Sequence, residues 1–389
     1  MVRRRIVAIL LGLSLPMLGL IALGSSPVQA HQASTPAPSK GAIPSAVPSA
    51  ITPQIDDGAV WSVAQVGNTL VMGGTFTKIG GVSHPYLAAI NATTGAVSTT
   101  FNAVPNGQVF SVMPGPNDHS VYVGGSFTSV SGIAAQFLTL LDTTTGAPVS
   151  TFHGPTFDFG MIRDMAVAGG RLYVGGFFGR VGGKPHAGIA ALNGSTGAVD
   201  PYMNVQLAGH HNDSGTGAQG FIGPWALDVS PDGSRLILTG NFKTADGLLR
   251  DQLAMIDLNA GGAVVDPNWS TSRYSPYCFN WAFDGYTRGI SFSPDGSYFV
   301  VNATGGGNPG TLCDATSRFE TASTGTDIQP TWVDETGGDT VWAPPSRPTW
   351  STSAATTAGT TTRRASTVPS PAPFRGPVSR PSIPPAVVR

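Results

Sequence analysis

One eight-residue stretch constrains this chain more than any other. RLYVGGFF stands at 171–178, with near-copies TLVMGGTF at 69–76, SVYVGGSF at 120–127 and, weaker, RLILTGNF at 235–242. Each copy alternates apolar and small residues, breaks at a glycine pair or its equivalent, and ends on phenylalanine. That is the pattern of a β-strand that turns sharply after its inward residues. A strand motif repeated at this spacing implies a solenoid or a propeller.

Laying the copies beneath one another extends the repeat. A strand start precedes each: VWSV at 60–63, VFSV at 109–112, IRDM at 162–165, PWAL at 224–227, TRGI at 287–290 and VWA at 341–343. A third strand follows each glycine break: YLAAIN (86–91), QFLTLLD (136–142), GIAALN (188–193) and QLAMID (252–257). Each leads to a turn at Gly95, Gly146, Gly197 or Gly262, and a short fourth strand is expected near an aromatic residue, as in TTFN (99–102) and PNWS (267–270). Four strands in units of about 50–60 residues make a propeller blade. Two stacked sandwiches would not repeat one four-strand order. The expected fold is therefore all-β, a β-propeller of four-stranded blades over 51–343, with about five complete blades and an incomplete sixth. ITPQID (51–56) reads as the outer strand of the last blade.

In its details this chain resembles the secreted bacterial β-propellers built from delta-60-type repeats, which are often joined to polycystic-kidney-disease-type or carbohydrate-binding domains. The VGG-x-F strand ends, the LAAIN-x-x-TGAV hairpins and CDATSRFE (313–320) carry the resemblance, over roughly 55–343. It implies a fold and an extracellular setting, and it brings no catalytic residues. The fifth unit departs from the pattern: its second strand, SYFVVNATGG (297–306), lacks the Gly-Gly-x-Phe ending, and a segment around Cys313 and Arg318 replaces its third.

The ends of the chain carry their own signals. Arg3–Arg5, the apolar run Ile6 to Leu23 and Val28-Gln29-Ala30 read as a secretory signal peptide over 1–30, with a membrane anchor as the alternative. An Ala/Pro/Ser-rich linker is expected over 31–50. Residues 344–389 hold ten Pro, fifteen Ser or Thr, six Arg and no acid. They read either as a disordered linker or as the product of a reading-frame slip that replaced the rest of blade six, leaving a truncated remnant. If the slip is right, two blade faces are left open to solvent.

Charge and cysteine usage narrow the function classes. The net charge of −1 conceals a body (31–343) with 12 basic against 22 acidic residues. Such a body repels phosphate backbones, so nucleic acid is not an expected partner. No membrane partner is expected after signal cleavage. Cys278 and Cys313 are the two cysteines, and an even count in an exported chain favours a disulfide over two free thiols. Their 35-residue separation makes such a bridge worth about 3–4 kcal/mol on the chain-entropy account.

Candidate chemistry gathers in one column. The second residues of the strand starts are Trp61, Phe110, Arg163, Trp225, Arg288 and Trp342, every one aromatic or arginine. Aromatic rings interleaved with guanidinium groups near a channel mouth suit a sugar ring or an anion. The competing reading is inter-blade packing with the arginines stacked on neighbouring rings. The next column, Ser62, Ser111, Asp164, Ala226, Gly289 and Ala343, is small, as a crowded axis requires; the third, Val63, Val112, Met165, Leu227 and Ile290, reads as core. Two further clusters are weaker: His210, His211 and Asp213 form either a metal site or a solvated loop, and Asp56 with Asp57 forms either a calcium site or a turn cap. No cofactor is expected, with calcium as the alternative. No Gly-x-Ser-x-Gly elbow or His-Glu-x-x-His occurs. The favoured function is a non-catalytic recognition or scaffold module for a glycan or wall polymer. The alternative is an extracellular enzyme, a polysaccharide hydrolase or lyase or a quinone-dependent sugar dehydrogenase, with Arg163, Asp164 and Arg288 as its candidate members.

Overall fold

Alternation and glycine breaks build antiparallel sheets one after another along the chain. The structure, a computed structural model, describes residues 50–212, 217–306, 309–338 and 341–343, and the backbone of 354–355. The leader, the tail beyond these residues and Asp213 lie outside the described residues. Among the described residues there is no helix.

Among the described residues, five blades follow in order. Blade three runs Met161–Ala168, Arg171–Phe177, Ile189–Asn193 and Val199–Asp200, each strand paired with the next. Blade four runs Gly223–Val229, Arg235–Asn241, Leu253–Asn259 and Gly262–Val265, and blade five Thr287–Phe292, Tyr298–Ala303, Ala315–Glu320 and Trp332–Glu335. Blades one (Val60–Val66, Thr69–Gly74, Leu87–Asn91) and two (Val109–Pro114, Ser120–Gly125, Leu138–Asp142) have three full strands. A single bridge, Ile90 to Val97 or Leu141 to Pro148, stands for the fourth. The inner strands neighbour one another in chain order, through Val341–Ala343 of the sixth blade. The fold is a β-propeller.

The repeated sequences have definite local causes. Asn91, Asp142 and Asn193 end their third strands, and each side chain accepts the backbone N–H groups two and three residues on at 2.8–3.0 Å. Gly95, Gly146 and Gly197 then take φ of 72°, 75° and 77°, the left-handed conformation that only glycine adopts at little cost. TGAV recurs because this turn recurs.

Several expectations are corrected. The outer strands precede TTFN and PNWS, neither of which lies in a strand. They start directly after the glycine turn, since the chain has already reversed there. Arg318 lies in an ordinary third strand, Ala315–Glu320, so blade five keeps the plan. ITPQID is not an outer strand of the last blade. Ile55 bridges Ile79 of a small hairpin on blade one, Lys78–Ile79 with Val82–Ser83. Pro105, Phe157 and Leu207–Ala208 make the same contact with the hairpins of blades two, three and four. All four hairpins turn on two left-handed residues (Gly80-Gly81, Ser131-Gly132, Gly182-Gly183, Asp246-Gly247), as a type I′ turn requires.

The core lies between blades. Ala166, Tyr173, Ile189 and Ala191 of blade three meet Leu227, Val229, Leu236, Leu238, Ala254 and Ile256 of blade four, all buried. Equivalent walls join one to two, two to three and four to five. Side chains also reach across the rim to the end of the next third strand or the residue just past it: Tyr122 Oη donates to Gly194 O at 2.5 Å, Tyr202 Oη to Asn259 O at 2.7 Å, and Arg235 to Thr321 O at 3.0 Å.

Of the column read as core, Val112, Met165, Leu227 and Ile290 are 1–5% exposed, but Val63 is 46% exposed. Blade one is first in the ring and has no full preceding blade among the described residues to cover it.

Candidate functional site

Each of the six aromatic-or-arginine residues sits at a break in strand register. Pairing skips from Val60 to Ser62, Val109 to Ser111, Ile162 to Asp164, Pro224 to Ala226, Thr287 to Gly289 and Val341 to Ala343. Trp61, Phe110, Arg163, Trp225, Arg288 and Trp342 are therefore all bulge residues of inner strands. A bulge inserts one residue without a ladder partner and re-aims its side chain.

The six gather into one stack. Arg163 lies 4.2 Å from the Phe110 ring centroid and 4.3 Å from that of Trp225. Arg288 lies 4.5 Å from Trp225 and 5.7 Å from Trp342, whose ring is 5.8 Å from Trp61. The run is Phe110–Arg163–Trp225–Arg288–Trp342–Trp61. Trp61, at one end, is 40% exposed, whereas Arg288 is 7% exposed. Burial pushes the Arg163 guanidinium down to about 10, helped by the nearby charge of Arg288; burial does the same to Arg288. Both remain cations at neutral pH.

Asp164 belongs to a different device. Its carboxylate accepts Met165 N–H at 2.8 Å, Leu227 N–H of blade four at 3.0 Å and Ser111 Oγ–H of blade two at 3.2 Å. Burial lifts its carboxyl to about 6, with the Asp228 charge adding and the three donors opposing. Asp228 repeats the arrangement one blade on, accepting Phe292 N–H at 2.8 Å, and Ser62 accepts Val112 N–H at 3.0 Å. These residues fasten inner strand to inner strand, so Asp164 is not a free acid or base in the ring.

The other candidates separate. Asp57 accepts Thr77 N–H at 2.6 Å and Lys78 N–H at 3.3 Å, and Asp56 accepts Gly81 N–H at 2.7 Å; both cap the hairpin of blade one. Asn106 and Asp158 cap blades two and three in the same way. His211 is not in a solvated loop. It is buried against Asp251, Nδ1 to Oδ1 2.8 Å, whose other oxygen meets Lys243 at 3.0 Å. The Tyr277 and Tyr286 rings flank it edge-on. Among the described residues no group of three or more His, Cys, Asp or Glu side chains is placed to hold a metal ion. Cys278 and Cys313 are disulfide-bonded.

Sequence reasoning missed an open cavity of about 400 Å³ on the outer side of blade five, lined by Tyr298, Val300, Arg318, Glu320, Thr331 and Trp332. Arg318 pairs with Glu320 at 2.8 Å and lies 3.8 Å from the Tyr298 ring centroid. The available signal was positional. Arg318 occupies the third-strand site that is Ala191 in blade three and Met255 in blade four.

Fold and ring together define a class: a β-propeller with an aromatic–guanidinium stack borne on its inner strands. No family model matches the chain, and no curated protein matches it. Solved structures similar to it include Kuenenia stuttgartiensis hydrazine synthase, with 15% identity over 68% of this chain and 64% of that one and a TM-score of 0.37. The computationally designed Ika8 protein is 14% identical over 75% of this chain and 66% of that one, with a TM-score of 0.40. The Myceliophteria thermophila Cps50 (Swd1) beta-propeller domain is 10% identical over 73% and 76%, with a TM-score of 0.44. The chain spans less than two-thirds of the first two.

Proposed function

We propose that this protein is a secreted, non-catalytic recognition module that binds a glycan or cell-wall polymer at the axial ring. One observation carries the reading: six bulge residues from six consecutive inner strands form a single stack with an exposed tryptophan at its end. Saccharides dock on such faces through their C–H surfaces, and propellers present ligands at the axis. Asp164, the ring-side carboxylate of the enzymatic alternative, is held by three donors, which speaks against that alternative. A disulfide and the absence of any helix long and apolar enough to cross a membrane among the described residues are compatible with export.

The test is sedimentation with insoluble wall polymer and a glycan array, using the full chain. Binding by the wild type that falls at least tenfold in Trp61→Ala, with unchanged thermal unfolding, is the expected result. Equal binding by wild type and variant removes the ring from the function.

A further inference from the structure

The ring has a chemical imbalance. Arg163 Nε, Arg288 Nε and Trp225 Nε1 are buried and without a hydrogen-bond partner. All three are donors and none can accept. They belong to three successive blades, with the Trp225 ring between the two guanidinium groups. Among the described residues no carboxylate lies within ion-pair distance of Arg163 or Arg288. Arg288 spends one N–H on Thr287 O at 3.0 Å, and Asp164 is held by backbone and serine donors.

Two cations held close together repel, Asp164 and Asp284 offset this only from beyond ion-pair distance, and buried N–H groups without an acceptor cost stability. The cation–π contacts offset part of this but supply no acceptor. An oxyanion supplies what these carboxylates do not: several acceptor lone pairs, with their negative charge, at hydrogen-bond range. Guanidinium and indole N–H groups are the donors that recognise such groups.

We propose that the ligand of the axial ring carries an oxyanion, a carboxylate or a phosphate on a sugar, and that this group is held by Arg163, Trp225 and Arg288. The proposal rests on the ring as the binding site and names its ligand class: an acidic rather than a neutral saccharide. Neutral rings stack on Trp61 and Trp342, and the charged substituent reaches the buried donors.

The experiment is a titration of the full chain, read by tryptophan fluorescence and calorimetry at constant ionic strength, with glucuronate, inorganic phosphate and glucose as probes. Saturable binding of glucuronate, of phosphate or of both, at least tenfold tighter than any response to glucose, is expected; which of the two binds tighter assigns carboxylate or phosphate. Arg288→Gln should weaken anion binding at least tenfold. Trp225→Phe keeps the aromatic face while removing the N–H, so it remains informative if the arginine variant fails to fold; a several-fold loss is expected. Glucose binding as tightly as glucuronate, anion binding unchanged in both variants, or no saturable anion binding overturns the proposal. Sedimentation with wall polymer under saturating phosphate separates the two levels. Polymer binding indifferent to phosphate sinks the oxyanion and leaves the recognition module standing. Anion binding lost in Trp225→Phe, with no polymer bound by the wild type, does the reverse.

Discussion

The wall between blades three and four and the sector between blades five and one are built from the same strand positions, yet they differ throughout. In the first, ten side chains interdigitate out of contact with water, Asp164 fastens the inner strands and Tyr202 closes the rim. In the second, Val63 is half bare, and the outer face of blade five lines an open cavity with an ion pair where blades three and four place Ala and Met. The inter-blade ring contacts described there are Arg288 on Trp342 and Trp342 on Trp61. Position in a strand therefore does not decide burial; the neighbouring blade does.

Substitutions can break or sharpen this contrast. The largest effect belongs to the sealed wall. Leu227→Ala should cost about 2–5 kcal/mol, through lost transfer energy plus a cavity, measured by urea unfolding. Removing the disulfide as Cys278→Ser with Cys313→Ser should cost about 3–4 kcal/mol by unfolding at equal protein concentration, since its loop no longer restricts the unfolded chain.

Asp164 gives the wall a pH signature opposite in direction to that of Glu320 in the open sector, whose carboxyl the Arg318 hydrogen bond holds below the usual range. The folded Asp164 carboxyl stands at about 6, above the value of about 3.9 expected unfolded. Between those values the folded state binds more protons, so its contribution is greatest below pH 4 and declines as pH rises through 6. The difference in unfolding free energy between wild type and Asp164→Ser should change by roughly 2–3 kcal/mol in that direction between pH 4 and pH 7. A flat difference would show that the carboxyl titrates normally.

Tyr202→Phe, which loses the 2.7 Å bond to Asn259 O, should cost about 1 kcal/mol in the same assay. Smallest is Val63→Ala, within about 0.5 kcal/mol because the side chain is largely solvated. A loss as large as that of Leu227→Ala would mean that the sector is sealed in solution.

Much of the fold was legible because it is repeated. The RLYVGGFF strand, the Asn-x-x-Thr-Gly turn and the aromatic-or-arginine column each recur often enough for chance to be set aside. The hairpins were missed although Gly80-Gly81, Gly182-Gly183 and Asp246-Gly247 carry the two-residue turn signal, because strands of two residues leave almost no alternation to read. The bulges were invisible for another reason. A register skip is a property of two strands, and only one of them bears the ring residue. The role of Asp164 was hidden likewise, since its partners lie 53 and 63 residues away. Val63 misled because an apolar residue at a core position carries no mark of which neighbour covers it.

The bulge has an evolutionary corollary. Because the ring residue stands outside the ladder, its side chain can be exchanged without disturbing register on either side. Six codons, spread across the gene at blade-length intervals, can thus be rewritten one blade at a time while the scaffold stays as it is.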